Sequence, residues 1–434
     1  MRQSASAAKN LRRWNDMDTT LDSGATASTA MPTSVGDAPR NLLGRPATRH
    51  RGTDIDGATL EPEALRVRDL DLNALIGATT FEGALAHLWF DVAPGSAEHR
   101  AHEAAIGARL AAFADALAPG SAAQSVAADL GAAGVAPVFA AASGLLRGFD
   151  DVAARVHGEA PDDADLDTML LCAAAAPFLL HAAIEGRPFA ARDDSIGASL
   201  AGTSSHAQRM LVLTGATRND APAQAAMDML LVAWHAGFGY ITPTVLAPRV
   251  AIGTGVTLTQ AIASGFLASG PSHVGAALEA MHWLAALAQS VPGGTGAPPA
   301  ALDATGRAAI DAALDAKRTL YGFGHPLFVA DPRPPHMRAR FAAQGFDGAY
   351  MTLFDACCAQ ADARRALRPN IDFLTAATLL ELGVAAPSWG VGVGLGARIA
   401  AMAAHAVERR RRPAFGVNSA TARRLLAAVP VGWL

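Results

Sequence analysis

The chain has 434 residues and a formal net charge of −4, which leaves room for two or three domains and argues against a nucleic-acid partner across the whole protein. Hydrophobic residues make up 51% and aromatics 6%, and the alanine runs favour closely packed helices over β-sandwiches. Cys172, Cys357 and Cys358 form no CxxC and no Cys/His spacing that would hold zinc, so a reduced, cytoplasmic protein without a metal is expected.

Residues 1–55 are rich in Ser, Thr, Ala, Gly and Arg, lack a sustained apolar period, and read as a disordered extension. The opening MRQSASAAKNLRRW has the Arg/Ser bias of a transit peptide, but Asp16, Asp18 and Asp22 follow it, which favours a plain extension. Folded sequence is expected from about residue 65. There Phe81, Leu85, Leu88 and Trp89 fall on one helix face behind Thr80, a natural N-cap. Helical patterns recur at 102–117, 122–130, 150–156, 166–184, 206–213, 222–235, 257–267, 274–288 and 305–319, with Pro and Gly between them. No run of alternating strand residues stands out, so the expected fold class is all-α. The most apolar run, 169–184, has 16 residues including Pro177 and His181. That is short of the roughly 20 needed to span a bilayer, and it reads as a core helix rather than a membrane segment. VPGGTGAPPA at 291–300 is the clearest internal break, a linker or a long loop.

Three stretches carry chemistry: ASGPSHVG at 268–275, LYGFGHPLFVADPR at 320–333 and RPNIDFL at 368–374. They resemble, in order, the GPxHGGA, GFGHxxY and PNVDF segments of the citrate synthase family. Flanking sequence extends the resemblance over about 65–413. The resemblance implies an all-α, two-domain fold: a large domain of 60–274 and 385–434, and a smaller, mobile domain of 275–384. It also implies a homodimer that uses acetyl-CoA as cosubstrate, with no tightly bound cofactor. Joining a thioester methyl to a 2-oxo acid requires a carboxylate base and a donor for the forming enolate oxygen. By the resemblance Asp372 is that base, His273 the enolate donor, and His325 the acid at the 2-oxo carbonyl. Arg333, Arg398 and Arg412 fall on the family's anion-binding arginines, Arg412 reaching the partner's site, and His235 falls on a further substrate-binding histidine.

Each residue also has a plainer reading. Asp372 follows Pro369 and Asn370 at a helix start and could serve as an N-cap. Arg398 could be a helix arginine stretching its head to water, Arg412 one of four solvated arginines, and His405 a core residue. GVGLGA at 392–397 fits GxGxxG/A formally, but no β-branched strand precedes it, so small residues for tight helix packing are preferred over a dinucleotide site. The chain departs from the family pattern at Val274, which replaces a glycine, and at Pro326 to Val329, where a basic residue for CoA phosphate is common. His336, Arg338 and Arg340 are candidates to replace that charge. These departures keep two alternatives open, a citryl-CoA-lyase-like cleavage and a catalytically silent member acting as a scaffold.

Overall fold

The computed structural model describes residues 50, 53–118, 120–156, 163–189, 199–239, 241–271 and 273–410, together with 420, 423, 424 and 427. The fold is predominantly helical, as the composition requires. The first elements, however, form an antiparallel sheet that the sequence reading missed: β1 (Asp56–Leu60), β2 (Glu63–Val67) and β3 (Leu70–Asp71), in the order β1-β2-β3. Folded structure therefore begins before residue 65, and Thr53, Asp54 and Ile55 are buried. Most of the expected extension, residues 1–49, 51 and 52, lies outside the described residues. The strands escaped notice because polar Asp56 and Glu63 open them, and a Glu-Pro turn joins them.

Helices α1 (Leu72–Leu75), α2 (Phe81–Phe90), α3 (Ala97–Leu117), α4 (Ala122–Ala132), α5 (Pro137–Arg147) and α6 (Asp150–Val156) lead into α7 (Ala164–Glu185). Side-chain caps start several of them. Thr80 accepts from Gly83 N–H at 3.0 Å, Ser96 from His99 N–H at 3.0 Å, and Asp163 from Leu166 N–H at 3.0 Å. Helix α7 is the expected core helix. It carries Pro177 internally and packs on α3, α4 and α5. Next come α8 (His206–Leu213), α9 (Ala221–Trp234), α10 (Pro243–Ile252), α11 (Leu258–Leu267) and α12 (Ala276–Ser290). Helices α5 and α10 are not among the expected helical patterns; each opens with a proline in its first turn, which is compatible with a helix start. The 291–300 segment is a short 3₁₀ turn, Gly294–Gly296, running directly into α13 (Pro299–Asp315).

The rest of the described chain forms α14 (Arg333–Ala343), α15 (Ala349–Arg365), α16 (Ile371–Glu381) and α17 (Ser388–Arg409). Helix α13 lies against α15, and α12 against α16. Helix α17 is buried almost all round and touches α7, α9, α10 and α11. By length and composition α7 and α17 could each cross a membrane, yet both are mostly buried inside this fold. The GVGLGA stretch lies within α17 rather than on a strand-to-helix turn. A Cβ on Gly394 would meet the Trp234 ring at 3.0 Å, so the glycine permits close approach of α9 and α17, as the packing reading expected.

Candidate active site

Three loops from distant parts of the chain open onto one cavity of about 450 Å³. His273 precedes α12, His325 precedes α14, and Asp372 lies in the first turn of α16; all three line it, with Arg333 and Arg398. The histidine loops are built by backbone hydrogen bonds. Gly270 and His273 exchange N–H···O bonds at 2.9 Å each, and Gly275 N–H reaches Gly270 O at 3.1 Å. This tight turn forces Val274 to φ 68°, the left-handed region that a β-branched side chain rarely adopts. Val274 is buried and lines the cavity.

The 320–333 and 368–374 stretches are laced together. Gly324 N–H donates to Arg368 O and Asn370 N–H to Gly322 O, both at 2.8 Å. Asn370 caps α16 by accepting from Asp372 N–H at 2.9 Å, and its Nδ2 donates to Gly324 O at 2.8 Å. Asn370 thus takes the N-cap role considered for Asp372, whose carboxylate is left for the cavity. Asp331 adds another tie, accepting from Ile371 N–H at 3.0 Å.

Protonation follows from these partners. Two amides, Leu327 N–H and Phe328 N–H, donate to His325 Nδ1 at 3.1 Å each, so the ring proton sits on Nε2. Burial lowers the His325 pKa; nearby Asp331 and Glu63 push it up and Arg333 pushes it down. His273 is held down to about 4 by burial and then by Arg398, so it is neutral at pH 7. Its Nε2 lies 3.4 Å from the Thr244 hydroxyl, which accepts from Arg398 at 3.5 Å. The Thr244 proton is thereby free to turn to Nε2, leaving Nδ1–H as the donor on His273.

Burial raises Asp372 to about 6; Arg333 and Arg398 pull its pKa down, and Asp331 pushes it up. Its Oδ1 is shut away from solvent without a hydrogen-bond partner among the described residues. A desolvated carboxylate free to accept a proton faces the cavity.

Arg333 and Arg398 are held differently. Arg333 already forms a two-point pair with Asp331, at 2.9 and 2.7 Å, and donates to Ala233 O at 3.3 Å. Arg398 is buried over the Trp234 ring, 4.7 Å from its centroid, and its Nε has no hydrogen-bond partner among the described residues. Its pKa is lowered to about 10 by burial and then by Arg333. His235 is not among the residues that line the cavity. It is fully buried; its Nδ1–H donates to Val232 O at 2.6 Å, and burial pushes its pKa down to about 4. Arg412 lies outside the described residues. Of the candidate CoA cations, Arg338 is paired with Asp355 at 2.7 Å and Asp347 at 3.0 Å, whereas Arg340 donates to His336, another of the candidates, at 2.9 Å.

The sequence reading missed Trp234, Phe238, Thr244, Asp331 and Asn370, although DPR and PN flank the chosen residues directly. Among the described residues no cluster of His, Cys, Asp and Glu could hold a metal ion.

Known proteins resemble the chain in two ways. The family described as "Citrate synthase, C-terminal domain" matches residues 41–415. Solved structures share the fold at low identity. Citrate synthase from Pyrobaculum aerophilum aligns with a TM-score of 0.62 at 18% identity, covering 89% of this chain and 96% of that one. Citrate synthase from Thermotoga maritima gives 0.56 at 17%, with 80% and 85% covered. A Thermoplasma acidophilum citrate synthase, solved as a ternary complex with carboxymethyl coenzyme A and oxaloacetate, gives 0.55 at 16%, with 82% and 88% covered. No curated protein sequence matches significantly.

Proposed function

Because the chain belongs to the citrate synthase family, we propose that it condenses acetyl-CoA, or a related acyl-CoA, with a 2-oxo acid to give a citrate-like product and free CoA. The observation that carries this reading is the convergence of His273, His325 and Asp372 on one cavity beside two buried guanidinium groups. Asp372 removes a proton from the methyl carbon while His273 Nδ1–H holds the thioester oxygen as it becomes an enolate. The enolate carbon attacks the 2-oxo carbonyl, and His325 Nε2–H protonates the new alkoxide. Water then cleaves the thioester. Arg398, and the outer edge of Arg333, hold the substrate carboxylates.

A second cavity of about 310 Å³, with His282, Trp283, Arg318 and Tyr321 in its wall, opens at the start of the 320–333 stretch and is our candidate for the nucleotide end of CoA. We also propose that residues 275–384 close over 60–274 and 385–434 to exclude water while the enolate exists. Leu146, Leu246, Val250 and Leu267 are exposed on α5, α10 and α11, where α11 packs on both neighbours. They supply an apolar contact for the proposed homodimer.

The test is to incubate the protein with acetyl-CoA and a panel of 2-oxo acids while following free thiol. Thiol release that needs both substrates and disappears in Asp372→Asn is the expected result. Citryl-CoA cleavage without condensation would assign the lyase direction, and inertness in both assays a scaffold.

A further inference from the structure

Two loops meet at the His325 ring. Phe238, from the segment after α9, lies 5.1 Å from it between centroids. Phe328, from the segment before α14, stacks on it at 5.0 Å and 20°, and the two phenylalanines are 5.8 Å apart. Neither segment is helix or strand. Phe328 is buried but Val329 beside it is 86% exposed, so apolar burial holds the second loop at Phe328 and not at the residue that follows it.

The β1–β2 hairpin, which places no side chain in the cavity wall, grips both loops. At the start of β2, Glu63 accepts from Val329 N–H at 2.6 Å and from Ala330 N–H at 3.2 Å, one per oxygen. At the start of β1, buried Asp56 accepts from Gly237 N–H and Gly239 N–H, both at 2.8 Å. His405 Nε2–H donates to Asp56 at 3.1 Å, its tautomer set by Arg249, which donates to Nδ1 at 3.0 Å. Burial pushes the Asp56 carboxyl up, but the His405 ring and the two glycine amides outweigh it and hold the carboxylate below its usual range.

We propose that Glu63 is a positioning residue for His325: by anchoring the amides of Val329 and Ala330 it keeps those of Leu327 and Phe328 aimed at Nδ1. The ring proton is thereby confined to Nε2. The use of that proton rests on the condensation reading; its location does not. Without the carboxylate, the exposed Val329 amide turns to water, the loop gains freedom, and the two donors that exclude an Nδ1–H tautomer drift apart. Asp56 serves Phe238 in the same way but is wholly buried. Glu63 is only partly buried, which makes it the better of the two to vary.

The experiment uses the full chain with isotope-labelled histidine ring nitrogens, comparing wild type, E63Q and E63A, with H325A to assign the resonances. Wild type is expected to show Nδ1 of His325 as an unprotonated acceptor and Nε2 as protonated. In E63A the two nitrogens should move toward each other as tautomers mix. Its kcat should fall about tenfold while KM for acyl-CoA stays within about twofold. E63Q keeps one acceptor oxygen and should fall between. An E63A ring spectrum superimposable on wild type overturns the proposal even where kcat drops, because a general loss of structure would lower activity without this signature. If wild type turns over no acyl-CoA and 2-oxo acid pair, the condensation reading fails, and the nitrogen spectra still decide the positioning role.

Discussion

A carboxylate that takes a proton from carbon near neutral pH must be basic and yet mostly ionised. Asp372, raised to about 6 by burial, meets both demands. Condensation should therefore rise with pH through about 6 and level off above it, a profile of kcat/KM that a base with an ordinary carboxyl pKa would place near 4. The same shift has a stability cost. A raised carboxyl pKa means the folded state binds the proton more tightly than the unfolded chain, so its stabilising contribution is complete below the ordinary aspartate value of 3.8 and is lost as pH rises through about 6. Asp372→Asn should be inactive yet more stable than wild type at about pH 8, by up to about 3 kcal/mol at 1.36 kcal/mol per unit; urea unfolding at two pH values would show the gain vanishing in acid. Val274 offers a second case. Its left-handed backbone and its place in the cavity wall predict that Val274→Gly makes room for a longer acyl chain. The preference for propionyl-CoA over acetyl-CoA should rise about tenfold in kcat/KM, the scale of one methylene in an apolar pocket. His273, His325 and Asp372 could be singled out because short local motifs carry them, although Val274 and Pro326 to Val329 interrupt two of those motifs, and the three residues do line one cavity. The pairing of Arg333 with Asp331, and of Arg338 with Asp355 and Asp347, was not, since spacing does not reveal which charge a side chain chooses.

Among the elements, the helices announced themselves by apolar period and caps, whereas β1 and β2 did not. Each strand is five residues long, and the partners that give Asp56 and Glu63 their purpose lie 181 and 266 residues away. Such short strands bury too little to leave a clear alternation. Helix α17 shows the converse: its glycines look like a nucleotide loop until the neighbouring helices are in place. Gly394→Val would press on Trp234, which lies under Arg398 and close to Arg333. We expect a loss of about 2 kcal/mol from overpacking and a raised KM for the 2-oxo acid, read by thermal unfolding and steady-state kinetics together.

Across the whole molecule, one buried polar chain joins the first strand to the last described long helix. Arg249 pairs with Glu408 at 3.0 Å, and Glu408 also accepts from Asp54 N–H at 3.0 Å. Removing this carboxylate by Glu408→Ala takes away a buried partner of Arg249 and should cost about 3 kcal/mol, measured by denaturant titration. No sequence window contains this chain of contacts, and only the assembled fold reveals it.

The link between Asp56 and His405 spans 349 residues, and that span is also an interval of time. At roughly 5–20 residues per second of synthesis, Asp56 is made roughly 20–70 s before the ring that completes its surroundings. During that wait the Gly237 and Gly239 amides can already reach the carboxylate, but the histidine and the α17 wall behind it do not yet exist. A hairpin this small is marginal alone, so the growing chain carries its future pocket brace as an unfinished edge. The order of manufacture, and not only the list of contacts, decides when this cavity is first complete.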